Sequence, residues 1–151
     1  RPGAASRRAR PERRAVIFGI GTDVVQLARV EEIYARHGEH FVRRLLLPEE
    51  EAGFRQYKRP VRFLAMRFAA KEALSKALGT GISHGVFWRD MGVVNLPGGK
   101  PTMNLTGRAG ERLAAMMPAG HRPVVHLTIT DDYPLAQAFV IIEAVPATQS
   151  T

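Results

Sequence analysis

One uninterrupted helical segment constrains the fold of this chain more than any other feature. Residues 61–78 contain no glycine or proline and are rich in alanine, leucine, lysine and arginine, which all favour helices. Pro60 precedes the segment, where the missing amide hydrogen of proline costs nothing at a first helical position. Gly79 and Gly81 follow it and favour a helix stop. The sequence therefore predicts one long helix that begins near residue 60 and ends near residue 78.

The predicted helix has one apolar face. At 3.6 residues per turn, Leu64, Phe68 and Ala69 lie on one side, and Leu74 and Leu78 continue that side. The charged residues are expected away from this face: Arg67, Lys71, Glu72 and Lys76.

Glu72 and Lys76 are four residues apart and so project from the same side of the helix. One interpretation is a surface ion pair, which stabilises a helix by only a few tenths of a kcal/mol. The other is that Glu72 binds a divalent cation while Lys76 neutralises a phosphate, as phosphoryl-transfer chemistry requires. Their spacing is compatible with both interpretations.

The first apolar segment, residues 15–25, has the β-branched composition of a strand and is interrupted by Gly19 and Gly21. Glycines inside a strand indicate a bulge or a close approach by another group. Asp23 lies among valines and isoleucines, so its carboxylate must be paired, bound to a ligand or at the strand end. Capping of a helix that starts near Leu27 is the structural alternative to a ligand-binding role.

The rest of the chain alternates helices with short strands, which is typical of an α+β fold with one core. At 151 residues and 45% hydrophobic content, a second independent domain is not expected. Further helices are predicted at residues 27–37, 41–47, from Pro48 onward, and 107–117 with Thr106 as its cap. Further strands are predicted at residues 91–96, 102–105, 124–130 and 136–145. Trp88 is expected to be a core or interface residue.

The net charge of +8 is distributed unevenly along the chain. Residues 1–14 hold six arginines and one glutamate, a net charge of +5 that leaves +3 for the remainder. This basic segment lacks apolar periodicity, and we expect a disordered tail. A basic nucleic-acid-binding protein is therefore one hypothesis for the function, and the tail carries most of its support.

The chain contains no cysteine, which excludes disulfides and thiolate metal sites. No apolar run approaches the ~18 residues that a membrane-spanning helix needs, and no signal-peptide pattern opens the sequence. We expect a cytoplasmic protein without a membrane partner.

Two motifs stand far apart in the chain. The first is Gly-Ile-Gly-Thr-Asp-Val at residues 19–24, followed by Arg29. The second is Arg-Phe-Ala-Ala-Lys-Glu-Ala-Leu-Ser-Lys-Ala-Leu-Gly-Thr-Gly at residues 67–81, and a Gly-Lys-Pro turn at residues 99–101 follows it. Together with the final hairpin, these segments closely resemble the holo-acyl-carrier-protein synthases, which are small 4′-phosphopantetheinyl transferases. The resemblance extends over residues 16–143.

The resemblance implies an α+β fold of the 4′-phosphopantetheinyl transferase type, with a mainly antiparallel sheet packed on the long central helix. Members of this length assemble as homotrimers with active sites at the subunit interfaces. We therefore expect a homotrimer whose single domain covers residues 15–145, between the basic tail at residues 1–14 and a C-terminal tail at residues 146–151.

The same resemblance implies transfer of 4′-phosphopantetheine from coenzyme A to a serine of apo acyl carrier protein, in fatty acid biosynthesis, without a nucleic-acid partner. At the matching positions Asp23 and Glu72 would hold Mg²⁺, and Lys76 would contact the coenzyme A phosphates. Glu72, directly or through a metal-bound water, is the first candidate for the base that accepts the serine proton. Further cofactor-binding positions are Arg67, Lys71, Gly79, Thr80 and Gly81. The positions expected to face the acidic carrier protein are Arg29, Arg36, Arg43 and Arg44.

The sequence departs from the family pattern at one position. Many members have a histidine where this chain has Asp131, at the end of Thr-Ile-Thr-Asp. Asp131 is a further metal or water ligand in one interpretation and a turn residue in the other, which we favour. A catalytically inactive trimeric scaffold is the third functional hypothesis.

Overall fold

Five strands and five α-helices make up the computed structural model, which describes residues 14–147. The elements follow in the order β1 (Val16–Gln26), α1 (Leu27–His37), α2 (Glu39–Leu45), α3 (Pro48–Gln56), α4 (Pro60–Ala77), β2 (Met91–Asn95), β3 (Pro101–Leu105), α5 (Gly107–Met116), β4 (His121–Asp132) and β5 (Leu135–Pro146). A short 3-10 helix, Trp88–Asp90, leads into β2. The α+β class is confirmed.

The strands form two antiparallel sheets. The main sheet has the order β1-β5-β4, and β2 pairs with β3 as a separate hairpin. Helix α4 packs across one face of the main sheet, mostly on β1 and β5. The predicted packing of a mainly antiparallel sheet on the long helix is therefore confirmed.

Helix α4 is buried on more sides than its sequence pattern predicts. The expected apolar face is buried, including Leu64, Phe68 and Leu74, but Lys71 is fully buried as well. The expectation that all four charged residues lie away from the core is therefore wrong for Lys71. The helix lies between the sheet and the layer formed by α1, α2 and α3, so it has little surface facing solvent.

The two glycines of β1 allow this strand to approach α4 closely. A Cβ atom on Gly21 would lie 1.8 Å from the carbonyl oxygen of Ala73, and one on Gly19 would lie 2.3 Å from that of Ala77. The pairing of β1 with β5 also shifts register between Ile17 and Gly19. Both expectations for these glycines, a bulge and a close approach, are confirmed.

The remaining differences lie at element ends. Strands β4 and β5 are longer than the apolar runs that predict them, because their ladder continues outward to the pairs His121–Pro146 and Asp132–Leu135. Thr106 stands at the N-cap of α5 as expected, but its side chain makes no capping hydrogen bond. The predicted basic tail at residues 1–14 lies, apart from residue 14, outside the described residues.

Among residues 14–147, no helix covers the second face of the main sheet. Its exposed apolar side chains, here called the outer sheet face, are Ile17, Ile20, Val24, Leu135 and Phe139, each between 38% and 57% exposed. Within residues 14–147, every helix falls short of the length and hydrophobicity that a bilayer crossing requires.

Candidate active site

The close packing of β1 on α4 brings Asp23 and Lys76 together. The Lys76 ammonium lies 3.1 Å from Oδ1 of Asp23, and it also donates to the Thr22 carbonyl oxygen at 3.0 Å. The Asp23 side chain is 15% exposed, whereas that of Lys76 is 53% exposed. A cation that is half open to solvent remains accessible to a ligand. The alternative of a Glu72–Lys76 ion pair is wrong, since Lys76 pairs with β1 instead.

Glu72 has a partner that the sequence did not suggest. Its Oε1 accepts a hydrogen bond from the indole Nε1 of Trp88 at 2.9 Å. The Trp88 ring packs against Phe41 and Phe68, with ring centroids 6.4 Å and 5.6 Å away. Trp88 is thus a partly buried residue on the core, as expected, but it also fixes the orientation of a carboxylate.

Asp23 and Glu72 line one cavity. This cavity has a volume of about 570 Å³ and lies between β1, α1, α2 and α4. Its wall beside Glu72 is aromatic, and its opposite side is basic. The remaining lining residues include Arg29, His37, His40, Phe41, Arg44, Phe68 and Trp88. Two carboxylates that are 49 positions apart in the sequence therefore meet at one site.

This donor set fits a magnesium ion that the protein holds only in part. Carboxylate oxygens are hard ligands of the kind that Mg²⁺ prefers, and the ion commonly keeps several waters and binds substrate phosphates. In the part of the chain that the structure describes, no three histidine, aspartate or glutamate side chains converge to hold a metal by themselves. Asp23 and Glu72 would therefore share the ion with oxygen atoms from a ligand and from water.

Lys71 is engaged inside the protein and not at the cavity. Its ammonium, fully buried, lies 2.6 Å from Oε1 of Glu50 and donates to the Leu45 carbonyl oxygen. Burial lowers the pKa of Lys71 below its ordinary value, and the nearby Glu50 carboxylate partly offsets that effect. The expected contact of Lys71 with coenzyme A phosphate is therefore not available in this structure.

Arg67 belongs to the same internal group. Its guanidinium lies 3.9 Å from Oε2 of Glu50, donates to the Val93 carbonyl oxygen at 3.4 Å and stacks on Phe63 at 4.8 Å. Burial lowers the pKa of Arg67, and the charge of Glu50 opposes that shift. With Glu50 and Lys71, Arg67 therefore forms a largely buried charge cluster that does not line the cavity, and the expected binding of phosphate by Arg67 stays a prediction.

The sequence gives no local sign that Glu50 is buried, because it stands in a run of three glutamates, which is typical of a helix N-terminus. Its carboxylate accepts hydrogen bonds from the backbone N–H of Leu47 at 3.0 Å and of Val93 at 3.3 Å. The available signal was Lys71 itself, which stands among alanines and leucines on α4. A lysine in such surroundings requires an acidic partner, since lysine is almost never fully buried unpaired.

The segment after α4 has the open backbone expected of it. Gly79 and Gly81 adopt positive φ angles of 78° and 60°, which favour glycine. The backbone N–H groups of Thr80 and Gly81 both donate to the Ser75 carbonyl oxygen, at 3.2 Å and 3.1 Å. A Cβ atom on Gly81 would meet nothing within 4 Å, so a ligand has room to approach the backbone there.

The four predicted partner-binding arginines lie on α1 and α2 and are all exposed. Arg29 and Arg44 line the cavity with the two carboxylates. Arg43 lines a neighbouring groove that also contains Arg44 and Trp88. Arg36 lies two turns after Arg29 on α1, and it pairs with Glu32 at 3.5 Å. Two of the four basic side chains therefore line the candidate site, and the other two line neighbouring grooves.

Asp131 has a role that neither interpretation of the sequence anticipated. It lies in β4, opposite Ala136, and its carboxylate forms an ion pair with Arg62 of α4. The two residues line a separate cavity next to Tyr133. Asp131 therefore ties the end of the sheet to the long helix.

Comparison with known proteins agrees with this geometry. A family model described as the 4′-phosphopantetheinyl transferase superfamily matches residues 19–138. The chain is 62% identical over 130 residues to a holo-[acyl-carrier-protein] synthase of Chelativorans sp. (strain BNC1), covering 86% of this chain and 98% of the relative. It is 61% identical over 131 residues to the enzyme of the same name from Agrobacterium fabrum, with coverages of 87% and 98%.

Solved structures give the same result. The crystal structure of holo-[acyl-carrier-protein] synthase from Neisseria meningitidis has a TM-score of 0.74 and 40% identity, covering 84% of this chain and 98% of that one. The synthase from Bacillus anthracis, solved in complex with CoA (3′,5′-ADP), has a TM-score of 0.68 and 34% identity, with coverages of 85% and 98%. With its fold, its paired carboxylates and these relatives in agreement, the chain belongs to the 4′-phosphopantetheinyl transferase superfamily.

Proposed function

We propose that this protein transfers 4′-phosphopantetheine from coenzyme A to a serine of apo acyl carrier protein. The observation that carries the proposal is the single cavity lined by Asp23 and Glu72, with the Lys76 ammonium 3.1 Å from Asp23. The names of its relatives, which include enzymes over 60% identical, support the same reaction. The products are holo acyl carrier protein and adenosine 3′,5′-bisphosphate.

The reaction is a phosphoryl transfer with one bond formed and one broken. The serine oxygen bonds to the β-phosphorus of coenzyme A, and the bond from that phosphorus to the bridging oxygen breaks. The electron pair leaves with adenosine 3′,5′-bisphosphate, and the serine proton must go to a base. Such reactions depend on positioning and on neutralisation of phosphate charge.

Residues of the cavity, of α4 and of the segment after α4 suit these tasks. Asp23 and Glu72 would hold Mg²⁺, which supplies charge neutralisation at the pyrophosphate when bound. Lys76 presents a half-exposed ammonium beside Asp23 and would contribute positive charge to the phosphates. Gly79, Thr80 and Gly81 offer an open backbone segment for the cofactor. Glu72 is our first candidate for the base, directly or through a water molecule.

The carrier protein would approach over α1 and α2. Arg29 and Arg44 line the cavity, and Arg36 and Arg43 extend the positive surface beside it. The family resemblance implies an acidic carrier protein, so charge complementarity with these arginines would steer its serine toward the cavity. Arginine to glutamate changes on these helices should therefore raise the KM for the carrier more than the KM for coenzyme A.

We also propose a homotrimer whose subunits meet through the outer sheet face. Five apolar side chains lie exposed on the paired strands β1 and β5, and exposed apolar patches commonly mark protein interfaces. A second copy of the same chain is the occupant that the family resemblance indicates.

The transferase reaction is tested by incubation of the full chain with apo acyl carrier protein, coenzyme A and Mg²⁺. Mass spectrometry should show the carrier gaining one phosphopantetheine, and Glu72→Gln should lower turnover by about 100-fold or more. The matched control is Glu111→Gln, because that side chain is 72% exposed on α5 and should keep normal turnover. No gain in carrier mass with a folded wild-type protein would refute the proposal.

The two other hypotheses predict different results. A nucleic-acid-binding function that depends on the basic tail should disappear when residues 1–14 are removed, whereas transferase activity should survive. If the protein is an inactive scaffold, wild type and Glu72→Gln should both leave the mass of the carrier protein unchanged. The shared cavity and the relatives favour the transferase.

A further inference from the structure

Trp88 is in direct contact with the carboxylate at the centre of the proposed site. Its indole Nε1 donates to Oε1 of Glu72 at 2.9 Å, which is an ordinary hydrogen-bond length. Indole nitrogen is a donor only, so the Glu72 carboxylate must be the acceptor in this bond. Trp88 is also the only tryptophan in the chain.

The position of the indole is determined by packing and not by Glu72 alone. Phe41 meets the Trp88 ring edge-on, with an interplanar angle of 88°, and Phe68 meets it at 56°. Phe68 lies on α4 one turn before Glu72, so the same helix that carries the carboxylate also supports the ring. All three aromatic side chains line the cavity together with Glu72.

The backbone that carries Trp88 is fixed as well. Trp88 begins the short 3-10 helix, where the Asp90 carboxylate accepts a hydrogen bond from the Phe87 N–H at 3.1 Å. The Asp90 carbonyl oxygen accepts from the Thr106 N–H at 2.8 Å, which ties this segment to the start of α5. Packing of the ring and hydrogen bonds of the neighbouring backbone therefore both fix the position of the indole N–H.

We propose that Trp88 is a positioning residue that orients Glu72 for the divalent cation, an inference that rests on the proposed function. The indole N–H takes one acceptor position of Oε1, so the remaining acceptor positions of the carboxylate, including those of Oε2, would stay open to the metal. A hydrogen-bond donor that already holds the carboxylate in one orientation lowers the entropy that the side chain loses when the metal binds. Loss of such supporting partners typically weakens metal affinity by 10- to 100-fold.

Trp88→Phe isolates the donor because phenylalanine keeps an aromatic ring and removes the N–H. We expect it to bind Mn²⁺ about 10-fold more weakly than wild type, measured by electron paramagnetic resonance of the free ion. The matched control is Phe87→Leu. Because the Phe87 side chain is 63% exposed, its replacement should leave the Mn²⁺ affinity unchanged. Circular dichroism should show that all of these proteins are folded.

The kinetic signature separates positioning from a general structural defect. In the transferase assay, Trp88→Phe should raise the Mg²⁺ concentration needed for half-maximal rate, and excess Mg²⁺ should restore most of kcat. A structural defect would lower kcat at every Mg²⁺ concentration. Wild-type affinity for Mn²⁺ in Trp88→Phe, or a kcat loss that Mg²⁺ does not restore, would overturn the inference.

The tryptophan itself provides a third measurement. Bound Mn²⁺ is paramagnetic and should quench Trp88 fluorescence in wild type, and Glu72→Gln should abolish that quenching. Titrations with Mn²⁺ alone and with Mn²⁺ plus adenosine 3′,5′-bisphosphate distinguish the possible failures. If wild type binds no Mn²⁺ in either titration, the proposed metal site and this inference both fail. If wild type binds Mn²⁺ but Trp88 fluorescence is not quenched, the metal does not lie beside Trp88, so this inference fails while the proposed function stands.

Discussion

Replacement of Glu50 by glutamine should destabilise this protein more than replacement of its partner Lys71 by methionine. The Glu50 carboxylate lies 2.6 Å from the ammonium of Lys71 and 3.9 Å from the guanidinium of Arg67. Glu50→Gln therefore leaves two buried cations with no anion between them. Lys71→Met leaves Glu50 with one cation and with its two backbone donors.

The size of each effect follows from these contacts. Removal of one partner from a buried ion pair typically costs about 3–5 kcal/mol, and we expect that range for Glu50→Gln. Lys71→Met keeps an apolar stem in the same space but leaves the Leu45 carbonyl oxygen without its donor. An unsatisfied buried polar group costs about 1–3 kcal/mol, which is our expectation for this variant.

Urea unfolding followed by circular dichroism measures both free energies of unfolding. Protein concentration must be equal in all samples, because assembly would couple stability to concentration. Glu49→Gln is the matched control, since Glu49 is the exposed neighbour of Glu50 and the chemical change is identical. We expect the control to change stability by less than about 0.5 kcal/mol.

Two results would refute this reasoning. One is a greater loss of stability in Lys71→Met than in Glu50→Gln. The other is a Lys71→Met protein that is folded but has a KM for coenzyme A raised more than about 10-fold, which would return Lys71 to phosphate binding.

Three further predictions follow from the fold and its charges. Gly21→Ala places a Cβ atom 1.8 Å from the Ala73 carbonyl oxygen, so β1 must move away from α4. We expect a free energy of unfolding lower by about 3 kcal/mol in urea unfolding. We also expect a severe loss of turnover in the carrier mass assay. Ile20→Asp puts a charge on the outer sheet face and should yield a monomer in light scattering, whereas an unchanged mass would exclude this face as the interface. Because burial lowers the pKa of Lys71, the unfolded chain binds more protons than the folded chain at pH values between the folded pKa and the ordinary lysine pKa of 10.5. The stability of wild type relative to Lys71→Met should therefore rise as pH increases through that window.

Much of the fold was predictable because its signals are local. Proline and glycine mark the ends of α4, and the side chains of its predicted apolar face are buried. The two β1 glycines predicted a close approach, and the structure identifies the group that approaches as the α4 backbone. Helix α1 begins and ends at the predicted residues.

The partners of the charged side chains were less predictable because they depend on contacts between distant segments. Glu72 and Lys76 share a helix face, yet Lys76 pairs with Asp23 of β1 and Glu72 with Trp88. Helical spacing describes neighbours on one helix and carries no information about the elements packed against it. The burial of Glu50 in a run of three acids is a second example of the same limit.

The contact of Gly21 with α4 also determines when the site comes into existence. Asp23 belongs to β1 and Glu72 to α4, so a folding intermediate with a formed helix and an undocked strand has no paired carboxylates. Any ligand that needs both acids binds only the docked state and shifts the folding equilibrium toward it by mass action. Docking of β1 on α4 and assembly of the proposed site would therefore be the same event.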